Sequence, residues 1–187
     1  MMDIQEIYRL YIQPLVYRHQ IRRPFWRSLG FAAKGFLAIT VLLQIGYLLD
    51  FSVIMAPFGA SCILIFSRPR YDSSQPANVM GGYFIASVVS VTCIHFLPLE
   101  WWTVGFMLVV TATLMGMLRA THPPAGSVPL LLFFDPASAT LDFIIFNSLT
   151  GSLILIMFGI ILHKIPPQQL YPKRVPNVST QIDLSNS

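Results

Sequence analysis

The sequence predicts an all-α integral membrane protein of six membrane segments, built as two inverted three-segment repeats in which segments two and five are short and broken. Three observations carry that expectation. Of 187 residues, 55% are hydrophobic and 11% charged, with a mean hydropathy of +0.64, outside the range of soluble domains. Two stretches match each other in order: Pro57-Phe58-Gly59-Ala60-Ser61 with Pro124-Ala125-Gly126-Ser127-Val128, then Asn78 to Gly82 with Asn147 to Gly151. Offsets of 67 and 69 residues indicate a duplicated unit with a small indel. Finally, the charges divide by loop. Arg68, Arg70, Arg119 and Lys164 share a side with the basic N-terminal stretch, while Asp50, Glu100, Asp135 and Asp142 lie on the other, which has no Lys or Arg. The positive-inside bias then requires every segment to cross, with both termini cytoplasmic. Three crossings per copy is an odd number, and an odd number inverts the second copy.

Each element follows from local pattern. Residues 1–28 are amphipathic rather than spanning. Asp3 and Glu6 have capping-box spacing, Ile4, Ile7, Tyr8 and Tyr11 make an apolar stripe, and Arg18, Arg22, Arg23 and Arg27 form a collar for anionic headgroups. The first repeat, 29–98, holds a span at 29–49, a short segment at 53–67 and a span at 81–97. As helix, 53–67 reaches only roughly 22 Å against a hydrocarbon core of about 30 Å. The second repeat, 99–164, holds a span at 101–118, a short apolar run at 127–134 and a span at 143–162. Pro123 and Pro124 lack the amide donor and restrict the residue before them, so 119–126 is expected to be unwound. The tail, 165–187, is rich in Pro, Asn and Ser and reads as partly disordered.

A short segment crosses only if part of it is extended or leans on neighbours, and its free backbone groups must then line protein or water. Inversion aims the two half-helix N-termini at the middle of the membrane. Each behaves as roughly +0.5 charge with unpaired N–H donors, and two together match a small monovalent anion. The candidate substrate-binding residues are therefore Pro57, Gly59, Ala60 and Ser61 in the first copy and Thr121, His122, Pro123, Pro124, Gly126 and Ser127 in the second. The competing reading is that Pro-x-Gly merely supplies kinks for helix packing. His122 either hydrogen-bonds the anion and carries its proton, or caps the preceding helix. Thr121 and Ser127 supply hydroxyl donors or satisfy unwound backbone. Asn78 and Asn147, at equivalent repeat positions, are amide donors near the path or helix caps. Lys34, the only base inside a predicted span, either lures anions or snorkels to the inner interface.

Thr121-His122-Pro123-Pro124-Ala125-Gly126, together with Ala56 to Ser61 and Gln75 to Gly82, resembles the HPP family of small integral membrane proteins over about residues 25–164. The resemblance implies a transport protein; members in cyanobacteria and chloroplasts are associated with nitrite transport. It often comes with a description of four spans, which the charge distribution here opposes. With no transit peptide evident, a bacterial cell membrane is the expected location.

Other classes fit poorly. A membrane enzyme needs paired carboxylates or a His cluster on one face, whereas the acids here are in loops and the four histidines are scattered. Cys62 and Cys93 lie in apolar runs without a ligand set, so neither a metal nor a cofactor is expected. The basic charge sits in membrane-flanking loops, so lipids rather than nucleic acid are the expected partners, alongside the anion and a homo-oligomeric copy.

Overall fold

The computed structural model describes residues 4–7, 13, 22–48, 56–166 and 168–173. Most of the interfacial stretch expected at 1–28, the first part of segment two and the tail beyond 173 lie outside the described residues. Within them the chain is helical, with no strand.

Helix α1 is Phe25–Leu48, α2 is Ala56–Ser67 and α3 is Pro76–Phe96. Helix α4 is Trp101–Met117, α5 is Val128–Phe134 and α6 is Phe143–Leu162. Among the described residues α1, α3 and α6 are long and apolar enough to cross a membrane, whereas α2, α4 and Pro123–Phe134 are shorter apolar helices. Trp26, Trp101 and Phe96, all strongly exposed, flank helix ends, where amphipathic rings meet the headgroup level.

Two expectations need correcting. Helix α1 starts at Phe25, so Arg27 and Trp26 belong to the span's first turn rather than to a separate collar. The Pro-Pro stretch is not extended. Pro123–Ser127 forms a 3-10 helix that runs straight into α5. Proline is tolerated in a first turn because the amide it lacks would have no partner there, and its φ is already helical. Helix α6 also departs from regular geometry: its first eight residues, Phe143–Thr150, are π-helical before Gly151–Leu162 continues as α-helix. The wider turn carries Ser148 inward, where its hydroxyl meets that of Ser87 on α3.

Helix α3 forms the centre of the bundle. It packs against α4, α5, α6 and the 3-10 turn, and Val79, Gly82, Tyr83, Ala86, Ser87 and Ser90 along it are all buried. Small residues let backbones approach closely where lipid offers no hydrophobic drive. At Gly82 the approach is tightest: a Cβ would lie 2.7 Å from His122 Cβ and 3.2 Å from the Ala120 carbonyl oxygen.

The remaining contacts come in matched sets. Helix α1 packs on α2 as α4 packs on α5; α1 meets α6 as α4 meets α3; α2 meets α6 as α5 meets α3. At the centre α2 touches the 3-10 turn and α3 touches α6.

Substituting Gly82→Ala is expected to cost about 1–3 kcal/mol, because the new methyl meets the His122 Cβ and the connector backbone beside it, neither of which moves independently of the main chain. Gly116→Ala, whose new methyl meets open space, should leave stability unchanged. Thermal unfolding of the two variants in detergent checks the contrast.

Candidate functional site

The connector between α4 and the 3-10 turn enters the bundle at His122, which is fully buried. Its Nε2 lies 2.7 Å from Ser61 Oγ on α2, and Ser61 Oγ lies 2.8 Å from the Tyr83 hydroxyl on α3. Its Nδ1 lies 2.6 Å from the Ser73 carbonyl oxygen, in the polar turn after α2. A carbonyl only accepts, so Nδ1 carries the proton and neutral His122 accepts at Nε2. Ser61 must then donate to Nε2 and accept from Tyr83. Donation therefore runs from Tyr83 to Ser61 and from Ser61 to His122 Nε2, and His122 Nδ1 donates in turn to the Ser73 carbonyl. Phe58 packs on Tyr83 at 4.9 Å and Tyr83 on His122 at 5.5 Å between ring centroids, closing the network from solvent. Burial pulls the His122 imidazole down to about 4, against the Ser73 carbonyl, which favours the protonated form.

The expected site residues divide around this network. Ser61 and His122 are joined. Pro57 is buried at the start of α2, while Ala60 is exposed. Gly59 lines an apolar groove of about 360 Å³ with Phe31, Gly35 and Phe66, on the α1 side of α2. A Cβ at Gly59 or at Gly126 meets nothing within 4 Å, so neither glycine is required by crowding. His122 does not cap α4; it precedes the 3-10 turn and makes no side-chain cap bond there. The hydroxyl of Thr121 donates to the Met115 carbonyl and that of Ser127 to the Pro124 carbonyl, so both satisfy local backbone. Pro123 is exposed and Pro124 half-buried.

Asn78 Nδ2 reaches the Thr121 carbonyl at 3.4 Å, stitching the start of α3 to the connector. Asn147, which the sequence match aligns with Asn78, lies in the π-helical turns of α6, half-buried. Lys34 does not snorkel to open water. It is buried and donates to the Ile165 carbonyl at 2.6 Å, just past α6.

Sequence reasoning passed over Tyr83, whose hydroxyl in mid-span beside Gly81-Gly82 was the available signal. A second cluster was also missed. His163 stacks on Phe66 and packs on Tyr171, and burial pulls the His163 imidazole down and pushes the Tyr171 phenol up. Among the described residues no group of His, Cys, Asp and Glu is placed to hold a metal ion.

A family model described as "HPP, transmembrane region" matches residues 17–172. Two curated relatives are Dictyostelium discoideum proteins. "Transmembrane protein DDB_G0269096" is 29% identical over 74% of this chain and 52% of its own length. "Transmembrane protein DDB_G0273707/DDB_G0273361" is 25% identical over 74% of this chain and 48% of its own length. The chain thus spans about half the length of the curated relatives it matches. No solved structure matches.

Ser61→Ala strands both the Tyr83 hydroxyl and His122 Nε2, and is expected to cost about 2–4 kcal/mol, more than Tyr83→Phe, which removes only the terminal donor. Thermal unfolding in detergent ranks the pair. In pH, His122 is protonated more readily when unfolded, so its contribution is present above about 6.5 and falls away as pH drops toward 4. His163 acts in the same direction. The difference between the parent chain and His122→Gln in unfolding temperature, measured from pH 7.5 to 4, isolates the His122 share and should shrink across that window.

Proposed function

Because the chain belongs to the HPP transmembrane family, an integral membrane family, we propose that it carries a small monovalent inorganic anion, nitrite first among them, across the membrane. The observation that carries this reading is the junction of two helices too short to cross alone. Ala56–Ser67 and Pro123–Phe134 lie against each other at the heart of the bundle, joined through Ser61 and His122. At 1.5 Å per residue in α-helix and 2.0 Å in 3-10, each extends roughly 20 Å.

The matched helix contacts support two inverted three-segment repeats, since exchanging the copies maps each pair onto another observed pair. With six crossings the polar turn at 68–75 and the connector at 118–122 face the cytoplasm, as do both termini, and a bacterial cell membrane is the simplest setting. The anion rests between the two helix starts, where N-terminal dipoles supply positive potential without a mobile counter-ion. The chain performs no covalent chemistry in this reading, and a homo-oligomer is its expected state.

One observation favours a second reading, that of a non-transporting anchor or assembly subunit. In neutral His122 every donor of the Tyr83–Ser61–His122 chain is already used, so an anion must take backbone donors instead. Reconstitution separates the readings. Gly59→Leu and Gly126→Leu should fold, given the open space beside both α-carbons, and each is expected to lower nitrite uptake into liposomes about tenfold, equivalent to ~1.4 kcal/mol of lost helix-terminus interaction. Unchanged uptake removes the midplane site, and no uptake by the parent chain favours the anchor.

A further inference from the structure

Where the 68–75 turn meets the connector, a cavity of about 950 Å³ is lined by Arg70, Tyr71, Asp72, Ser73, Gln75, Asn78, Arg119, Thr121 and Lys173. Lys173 pairs with Asp72 and its backbone amide donates to Gln75 Oε1, so those two charges cancel. The side chains of Arg70 and Arg119 make no hydrogen bond or ion pair among the described residues, which leaves two uncompensated guanidiniums around one opening. Arg119 carries a second signal. Its φ is 53°, a left-handed conformation that glycine adopts freely and an arginine does not. The backbone there favours Gly, yet the position holds a guanidinium. The cavity also reaches the buried network directly. Ser73, whose carbonyl accepts from His122, and Thr121, the residue before it, both line the wall.

We infer that this vestibule is a capture site for free planar oxyanions, in which the forked donors of Arg70 and Arg119 hold two coplanar oxygens before the anion moves inward. The inference deepens the transport reading and rests on it for the inward step, though not for binding. Guanidinium forks match paired oxygens in a way that a point charge does not, so the vestibule prefers nitrite over chloride. The alternative source of the same chemistry is a lipid phosphate. The wall argues against it: the lining contains no aliphatic side chain to accompany an acyl chain, unlike the groove beside Gly59.

The test uses the purified full chain, with nitrite binding measured by equilibrium dialysis in detergent and uptake measured in liposomes. Arg119→Gly fits the existing backbone, so its unfolding temperature should equal or exceed the parent's while its nitrite affinity falls about tenfold. Arg70→Gln should lose affinity to a similar degree. Arg119→Lys should keep anion binding but lose the preference for nitrite over chloride. Lys164→Gln, which removes an equal charge outside the vestibule, should bind as the parent does. Parent-like nitrite affinity in both Arg119→Gly and Arg70→Gln overturns the capture site even if the parent chain transports. Loss of nitrite affinity in both variants upholds it even if no liposome flux is seen, in which case transport is what fails. Anionic lipid in nanodiscs that lowers parent affinity to the Arg119→Gly level would assign the guanidiniums to lipid and overturn the inference as well.

Discussion

Everything in this bundle answers to one constraint: a backbone or side-chain polar group inside a membrane must find its partner within the protein. The chain brings breaks and polar residues into the bundle and closes those around His122, while among the described residues Thr111 Oγ1, His163 Nε2 and the Tyr171 hydroxyl stay buried without a hydrogen-bond partner. The 3-10 turn at Pro123–Ser127 spends its prolines where amides would be idle, and Ser127 and Thr121 take up nearby carbonyls. His122 is the most exacting case. A buried imidazole must satisfy two ring nitrogens, and it does so by reaching one way to Ser61 and the other to Ser73. Three elements distant in sequence are fixed by that one ring, which is why α2, α3 and the connector share a position.

Small residues make the closure possible. His122 sits against α3 only because Gly82 offers no side chain, and the Gly81-Gly82 pair clears room for the connector as a whole. Tyr83, the next residue, turns the same closeness into a hydrogen bond with Ser61. The pattern Gly-Gly-Tyr thus couples steric access to polar satisfaction at a single turn of helix.

Much of this was legible in the residues. Apolar runs located α1 to α6 among the described residues, and length and hydropathy mark α1, α3 and α6 as able to cross a membrane. The short lengths of segments two and five, and the importance of His122, followed from Pro-x-Gly and His-Pro-Pro. What stayed hidden depends on three-dimensional partners. The π-helical turns of α6 leave no mark in Phe143 to Thr150, and neither does the contact of Ser148 with Ser87 that accompanies them. Lys34 reads equally as a lure or a snorkelling base until its acceptor, Ile165, is seen 131 residues away. Asn78 and Asn147 align in the matched stretches of the sequence, yet one bonds the connector and the other lies in the π-helical stretch, so similar local sequence sits in different surroundings.

The bond from Lys34 to Ile165 also bears on how the molecule comes to be. Helix α1 precedes α6 in the chain, and the carbonyl that accepts from its Lys34 ammonium follows α6. Helices α1 and α2 both rest on α6. The surfaces of α1 and α2 that face α6 are therefore satisfied by a part of the chain made after both of them.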